Sequence, residues 1–366
     1  MAVDVSISYI LVVSGRGNWL GSKMPPLEKR RKVLFGEIID MFGLLKKLAY
    51  PIGIDISDES LKIVQLEHRG RSVGLIAGFS ENRPEDIQPG GGNWQRWAIE
   101  RIREWTSAGN FQNKDVIAAM PTNDVFIELM KMPKASEKEL HSTIFSKIKT
   151  KLPFEPVQAN IMLKYFPTIE DNILVMATER AVIEGHLAIY EKAGLAIKSM
   201  SAWPVALVNC YTRFFGRRQT DLDSVVMLVE IENDCTNVVI CRHQNLLFAR
   251  SIPVGATVQN NESEVTRLIM ELTSCKRQFA QLYNNFQIDR LIFLSSRAED
   301  REICATLAKK LEMPAQVGDC LAAAETADPY RLSREDRIYK QISGNPIDRR
   351  DNQVNWAIAF GLSLSS

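Results

Sequence analysis

The sequence predicts an α/β protein of two lobes, the first of which carries an inserted α+β module. Two observations predict the lobes. Near the front of the chain, "IGIDIS", "SLKIVQLEH" and "GLIAGFSEN" are short apolar runs bounded by turn residues, which read as a three-stranded hairpin meander. More than a hundred residues later, "VVMLVEIEN", "CTNVVICRH" and "NLLFARSIPVG" repeat that outline, so a second lobe opens as the first one does. A third observation, a run of strands and helices between the two meanders, predicts the insertion.

Taken in order, residues 1–40 look unlike the rest and read as a flexible extension or a mis-set start, with Met41 a natural beginning. The apolar run at 5–13 is too short to span a bilayer. It has neither a basic leader before it nor a clean cleavage site after it. The "EKRRK" that follows reads as a solvated charge run. The first lobe, 41–123, holds the meander, a "GGG" break at 90–92 and a helix with Asn93 as its N-cap. Trp94, Trp97, Ile102 and Trp105 recur there at helical spacing and predict one buried face. "DVIAAMP" then returns as a strand.

The inserted module spans 124–203. "VFIELMKMP" alternates like a strand, and "ASEKELHSTIFSKIKTKL" is an amphipathic helix with Ser136 and Glu139 at capping-box spacing. "PFEP" stops that helix, "QANIMLKYFP" and "NILVMATE" read as paired strands, and Gly194 ends the next helix. "LAIKSMSAWP" is a further strand. Residues 204–223 form a return helix, with Pro204 in its first turn, and a polar linker, "GRRQTDLDS". The second lobe, 224–366, continues from its meander into a long helix at 262–283, the strand "DRLIFLSS", a helix at 300–311 and the short strand "PAQVGD". A charged loop at about 325–352 and a closing helix, "VNWAIAFGLSL", complete it.

Composition narrows the function classes. A formal net charge of +1 over 366 residues gives no electrostatic case for nucleic acid or for a membrane surface. Cysteines 210, 235, 241, 275, 304 and 320 include no CxxC pair, which suits reduced thiols packed as small apolar residues in a cytosolic protein. Histidines 68, 141, 186 and 243 lie far apart, so no metal site is assigned.

Five motifs in order carry a resemblance. "GIDISDESLK" at 53–62 matches a phosphate-gripping first hairpin, and "ASEKELHSTIFSKIKTKLPFEP" follows the outline of an inserted subdomain. "NILVMATERAVIEGHLAIYEKAGLAIKSMSAWPVALVN", "FARSIPVGA" and "WAIAFGLSL" complete the set. From about Met41 onward the chain resembles the PilM family of type IV pilus assembly proteins, relatives of the division protein FtsA. The resemblance implies an actin-like (ribonuclease H-like) two-lobed α/β fold with an inserted α+β subdomain. The short segment between Gly255 and residue 262 implies that the usual helical subdomain of the second lobe is reduced.

The same resemblance places a nucleotide cleft between the hairpins, lined by Asp55, Ser57, Lys62, Glu230, Glu232, Thr236, Asn237, Gly255, Ser295 and Ser296. Asp55 would face Mg²⁺, but Ser57 stands where glycine usually lets backbone N–H groups approach phosphates. In "EIENDCTN", Glu230 replaces an Asp, Glu232 replaces a Gly and Asp234 adds another carboxylate. At about 4 Å and an effective dielectric near 20, each like-charge contact with phosphate costs on the order of 4 kcal/mol. "SSRA" at 295–298 replaces an adenosine-side Gly-Gly pair, and Arg297 would have to swing away from a nucleoside. The expectation is therefore a cleft kept as architecture, with no bound cofactor expected and residual Mg–ATP binding as the exception.

The resemblance implies a cytoplasmic scaffold at the inner face of the inner membrane. It would dock the cytosolic N-terminal peptide of a PilN-type protein near the inserted subdomain. Lys151, Leu152, Pro153, Phe154, Glu155 and Pro156 are the candidate partner surface, although a helix stop with an apolar anchor is the plainer reading of any one of them. Pilus ATPases and further copies of the chain are additional candidate partners. The alternatives are an active nucleotide-dependent ATPase or kinase, using Asp55, Thr236 and Asn237, and a GspL-like component of type II secretion. No catalytic residue is assigned, because no base for an acceptor hydroxyl stands out.

Overall fold

The computed structural model describes residues 49–324 and 354–365, apart from residues 71, 110, 257–260, 296, 298 and 299. The expectations for 1–40 and for 325–352 lie outside the described residues. The first lobe opens with β1 (Ala49–Ile56), β2 (Ser60–Arg69) and β3 (Ser72–Asn82), an antiparallel meander. After α1 (Gly92–Ala108), β4 (Asp115–Met120) joins β1 in parallel. The second lobe repeats this with β9 (Val225–Ile231), β10 (Thr236–Arg242) and β11 (Asn245–Ile252), and β12 (Arg290–Leu294) lies parallel to β9.

The repeat goes deeper than the meanders. The first sheet has the order β3-β2-β1-β4-β8, where β8 is Ala196–Ala202, and the second has β11-β10-β9-β12-β13, where β13 is Ala315–Gly318. Both outer strands, β8 and β13, are parallel to their neighbours. Parallel neighbours need long crossover connections, which are usually helical. In the second lobe these are α5 (Glu262–Leu282) and α6 (Asp300–Lys310), followed by a short α7 (Cys320–Ala323).

Between β4 and β8 the chain leaves to build the module. Its sheet is β5-β7-β6, all antiparallel, from β5 (Phe126–Lys131), β6 (Ile161–Pro167) and β7 (Asn172–Glu179). Helix α2 (Glu137–Ile148) covers one face, packing Ile144, Phe145 and Ile148 against Ile161, Leu163, Ile173 and Val175. Helix α3 (Arg180–Lys192) and β8 instead return to the first lobe, where Ile183, Ile189 and Tyr190 share a core with Trp94, Trp97 and Trp105. By strand pairing, then, the insertion is shorter than the expected 124–203. A strand's sheet is chosen by its pairing partner, here β4, and the local pattern of 196–202 carries no trace of it.

Two helix starts differ from expectation. Gly91, in extended conformation, precedes α1 and offers no side-chain cap, and Asn93 lies within the first turn because the glycine run lets the chain enter the helix early. Ser136 does precede α2, but its hydroxyl donates to Glu139 Oε2 at 2.7 Å and accepts no backbone N–H. Elsewhere the local chemistry holds. Gly194 adopts φ +81° after α3, and Pro204 sits in the first turn of α4 (Trp203–Phe214). All six cysteines are buried and free.

The C-terminal helix α8 (Ala357–Ser363) packs on β1, β2 and β4 of the first lobe and on α4, while α4 packs on β10 and β11 of the second. Each half of the chain thus ends in a helix that touches the other half's sheet. Contact is close: a Cβ on Gly53 would lie 2.2 Å from the Ala359 carbonyl oxygen.

The module also reaches the second lobe. In the β6–β7 turn, Thr168 hydrogen-bonds the Tyr283 hydroxyl at 2.8 Å, Asn172 donates to the Leu282 carbonyl, and Asn285 donates to Glu170. Glu170 and Asp171 both have positive φ, at 55° and 56°, a backbone suited to Asn-Gly. Glu170 is held by its contact, but among the described residues no side-chain bond of Asp171 explains its strain. Asp171→Gly is expected to stabilise the chain by about 0.5–1 kcal/mol, seen as a rise in urea midpoint with unchanged slope.

Candidate functional site

Two concave sites among the described residues bear on function. The first is the interlobe cleft, where the β1–β2 turn faces the β9–β10 turn and Trp203 and Ile358 close the floor. The Ser57 backbone N–H donates to the Ser60 carbonyl at 2.9 Å, and the Ser57 hydroxyl accepts the Ser60 N–H at 3.0 Å. Ser57 is not among the positive-φ residues, so serine costs this turn no backbone strain.

Asp55 and Lys62 are cross-strand partners, which puts both side chains on the cleft face of the sheet. The Lys62 ammonium lies 3.2 Å from Asp55 Oδ2 and 3.0 Å from Glu232 Oε1, and Lys62 is only 2% exposed. Burial alone would lower the Lys62 pKa, but the carboxylates of Glu232, Asp55 and Glu230 outweigh it and raise the value. Glu230 and Glu232 are both raised, first by burial. Glu230 is raised further by the charge of Glu232, and Glu232 by that of Asp55, with Lys62 opposing in both cases. Glu230 is fully buried; its Oε2 accepts from Asn237 at 3.1 Å, and its Oε1 has no partner among the described residues.

The remaining cleft residues are committed to the second hairpin. Thr236 donates to the Val254 carbonyl at 2.6 Å, and Asn237 faces Glu230 across the ladder. A Cβ on Gly255 would lie 2.1 Å from the Asn233 carbonyl oxygen, so glycine is needed there for close approach of two backbones. The Ala256 N–H then bonds the Glu232 carbonyl at 2.8 Å. Ser295 donates to Asp300, and Ser296 lies outside the described residues.

Arg297 does not swing away. It is 7% exposed and bonds Asp300 through Nε at 3.0 Å, the Asn233 side chain at 3.3 Å and the Ile231 carbonyl at 2.5 Å. It ties the loop after β12 to the end of β9. Asp300, Asn233 and Trp203 were not foreseen as cleft residues; the i, i+3 spacing of Arg297 and Asp300 at a helix start was the available signal. Among the described residues the space left open in the cleft is about 30 Å³.

The second site is a crevice of about 20 Å³ between the module and the first lobe. Met120, Met162, Met176, Phe166 and Val205 make it apolar. Strand β6 borders it as an edge of the module sheet, leaving one side of its backbone unpaired by any strand among the described residues. Thr178 and Ser201 also line it. They are 4% and 2% exposed, and neither hydroxyl has a hydrogen-bond partner among the described residues. Buried hydroxyls without partners are uncommon, and methionine side chains part easily for an incoming chain.

The family model for "Type IV pilus assembly protein PilM" matches residues 53–291. The chain belongs to the PilM family. The solved "PilM-PilN type IV pilus biogenesis complex" is similar in fold, with a TM-score of 0.65, 17% identity, and coverage of 86% of this chain and 98% of that one. The cytoplasmic domain of EpsL, an inner-membrane component of the type II secretion system of Vibrio cholerae, aligns with a TM-score of 0.44 and 10% identity over 77% of this chain and 87% of that one. A Bacteroides thetaiotaomicron protein with an actin-like ATPase fold aligns at 0.45 and 11% identity over 75% and 92%. A search of curated proteins returns no match.

In this PilM chain the 151–156 segment does not line the crevice. Lys151 pairs with Glu128, while Leu152 and Phe154 pack against the module core. A nucleotide with magnesium would meet the Lys62–Glu232 pair, the exposed Asp234 and the Arg297 latch where its phosphates and nucleoside need space. The cleft residues as arranged do not fit that group.

Proposed function

We propose that this chain is an actin-like scaffold of a type IV pilus assembly platform. It holds the cytosolic N-terminal peptide of an inner-membrane partner of the PilN type in the crevice between module and first lobe. The observation that carries this reading is the pair of buried, unpartnered hydroxyls, Thr178 and Ser201, in a methionine-lined crevice beside a strand edge. An extended peptide supplies backbone groups for the hydroxyls and the edge, and apolar side chains for the methionines. The solved PilM–PilN complex, of the same fold, supports a partner of that type. Among the described residues no helix is long and apolar enough to cross a membrane, so in this reading the partner brings the scaffold to the cytoplasmic face of the inner membrane. The cleft serves as architecture in this reading, and an ATPase, kinase or GspL-like role is not favoured.

Fluorescence anisotropy with a labelled peptide of a PilN-type N-terminus from the same genome tests the proposal. Saturable binding is expected to the unaltered chain. Met162 is only partly buried, so the fold should tolerate Met162→Arg, which should weaken binding about 100-fold or more by placing a charge in the crevice. Thr178→Val combined with Ser201→Ala should cost about tenfold. Full binding by Met162→Arg overturns the site, and loss of binding in Phe154→Ala alone moves it to the 151–156 segment.

A further inference from the structure

We propose that Lys62 is the resident cation of the interlobe cleft, joining the lobes through Asp55 and Glu232 in place of a nucleotide-bound metal. The inference goes beyond the docking reading and does not depend on it. A cleft between two carboxylate-bearing hairpins needs positive charge to stay closed, because facing carboxylates repel in a low-dielectric site. Here the chain provides it. Lys62 comes from β2 of the first lobe, yet its ammonium is closer to Glu232 of the second lobe, at 3.0 Å, than to Asp55 of its own, at 3.2 Å.

The groups around this contact are few and can be named. Asp55 faces the ammonium from β1, Glu230 from β9, and Glu232 from the turn after β9. Behind them, the charge of Asp55 acts on Tyr190 of α3, and that of Arg297 acts on Glu232. Burial and the neighbouring carboxylates hold both glutamates above the usual carboxylate range, and the Lys62 ammonium opposes this in each case. Arg297 makes the same substitution on the nucleoside side, with its guanidinium on the Ile231 carbonyl and on Asp300. A phosphate entering the cleft would have to pull Lys62, which is 2% exposed, away from Asp55 and Glu232.

Thermal unfolding of the full chain, with and without millimolar Mg²⁺ and Mg–ATP, tests this. The unaltered protein should show the same Tm in all three conditions, and calorimetric titration with Mg–ATP should give no binding heat. Lys62→Met should lower Tm by about 6 °C or more in the absence of metal. Mg²⁺ alone should then recover part of that loss, because Asp55 and Glu232 are left without a cation. A Tm rise of several degrees in the unaltered protein with Mg–ATP, or micromolar binding by calorimetry, overturns the proposal. So does a Lys62→Met protein with unchanged Tm. Should that variant not fold, the titration of the unaltered protein still decides the question.

Discussion

Gly361→Ala should lower the stability of the chain by about 3 kcal/mol or more, a Tm fall of at least about 6 °C. A Cβ at Gly361 would sit 1.8 Å from the Ala206 carbonyl oxygen and 2.5 Å from its carbon, both backbone atoms of α4. Relief would require separating α8 from α4, and this crossing joins the two halves of the molecule. Helices α4 and α8 also share the largest hydrophobic cluster with β9, β10 and β12, so the displacement would loosen packing well beyond one contact. Gly185→Ala is the matching control. It lies in α3 with only Gln95 Nε2 near, at 3.9 Å, and should stabilise by up to about 1 kcal/mol through helix propensity. If both variants unfold at the same urea concentration, the close helix crossing is not what limits stability.

Arg297→Met should cost about 3 kcal/mol in equilibrium denaturation. The methionine keeps much of the apolar stem but leaves Asp300, which is fully buried, without its guanidinium partner. It also removes a donor to the Ile231 carbonyl. An exposed pair gives the contrast: Arg101 and Glu104, at 34% and 57% side-chain exposure, are screened by water, and Arg101→Met should move stability by no more than about 0.5 kcal/mol. A near-zero effect for Arg297→Met would mean that the loop after β12 holds itself in place without the latch. Peptide docking at the crevice should be unchanged in that variant, because Arg297 does not line it.

Much of the fold was legible from residue order. Alternation and turn residues located both meanders, the tryptophan stripe located the buried face of α1, and Gly194 and Pro204 marked a helix end and a helix start. Asn93 misled because the glycine run lets the helix start before it, and Ser136, although it precedes α2, donates its hydroxyl to Glu139 where a backbone N–H was expected as its partner. The two turns that face each other across the cleft were legible, since "GIDIS" and "EIENDCTN" sit at equivalent turns of the two meanders. Their bonding was not. Lys62 and Glu232 are 170 residues apart in the chain, and Arg297 could be judged an obstacle without showing that it would be fixed in place by Asp300 and a strand carbonyl.

Residue order alone carries the two-lobed α/β plan, the family and the departures around the cleft, because these follow from local periodicity, turn chemistry and motif order. Three features emerge from the folded chain alone: β8 belongs to the first sheet, α8 crosses onto the first lobe, and Thr178 and Ser201 meet in one crevice. Pairing and burial between distant segments are settled by which surfaces exclude water together. No single stretch of the chain carries that information.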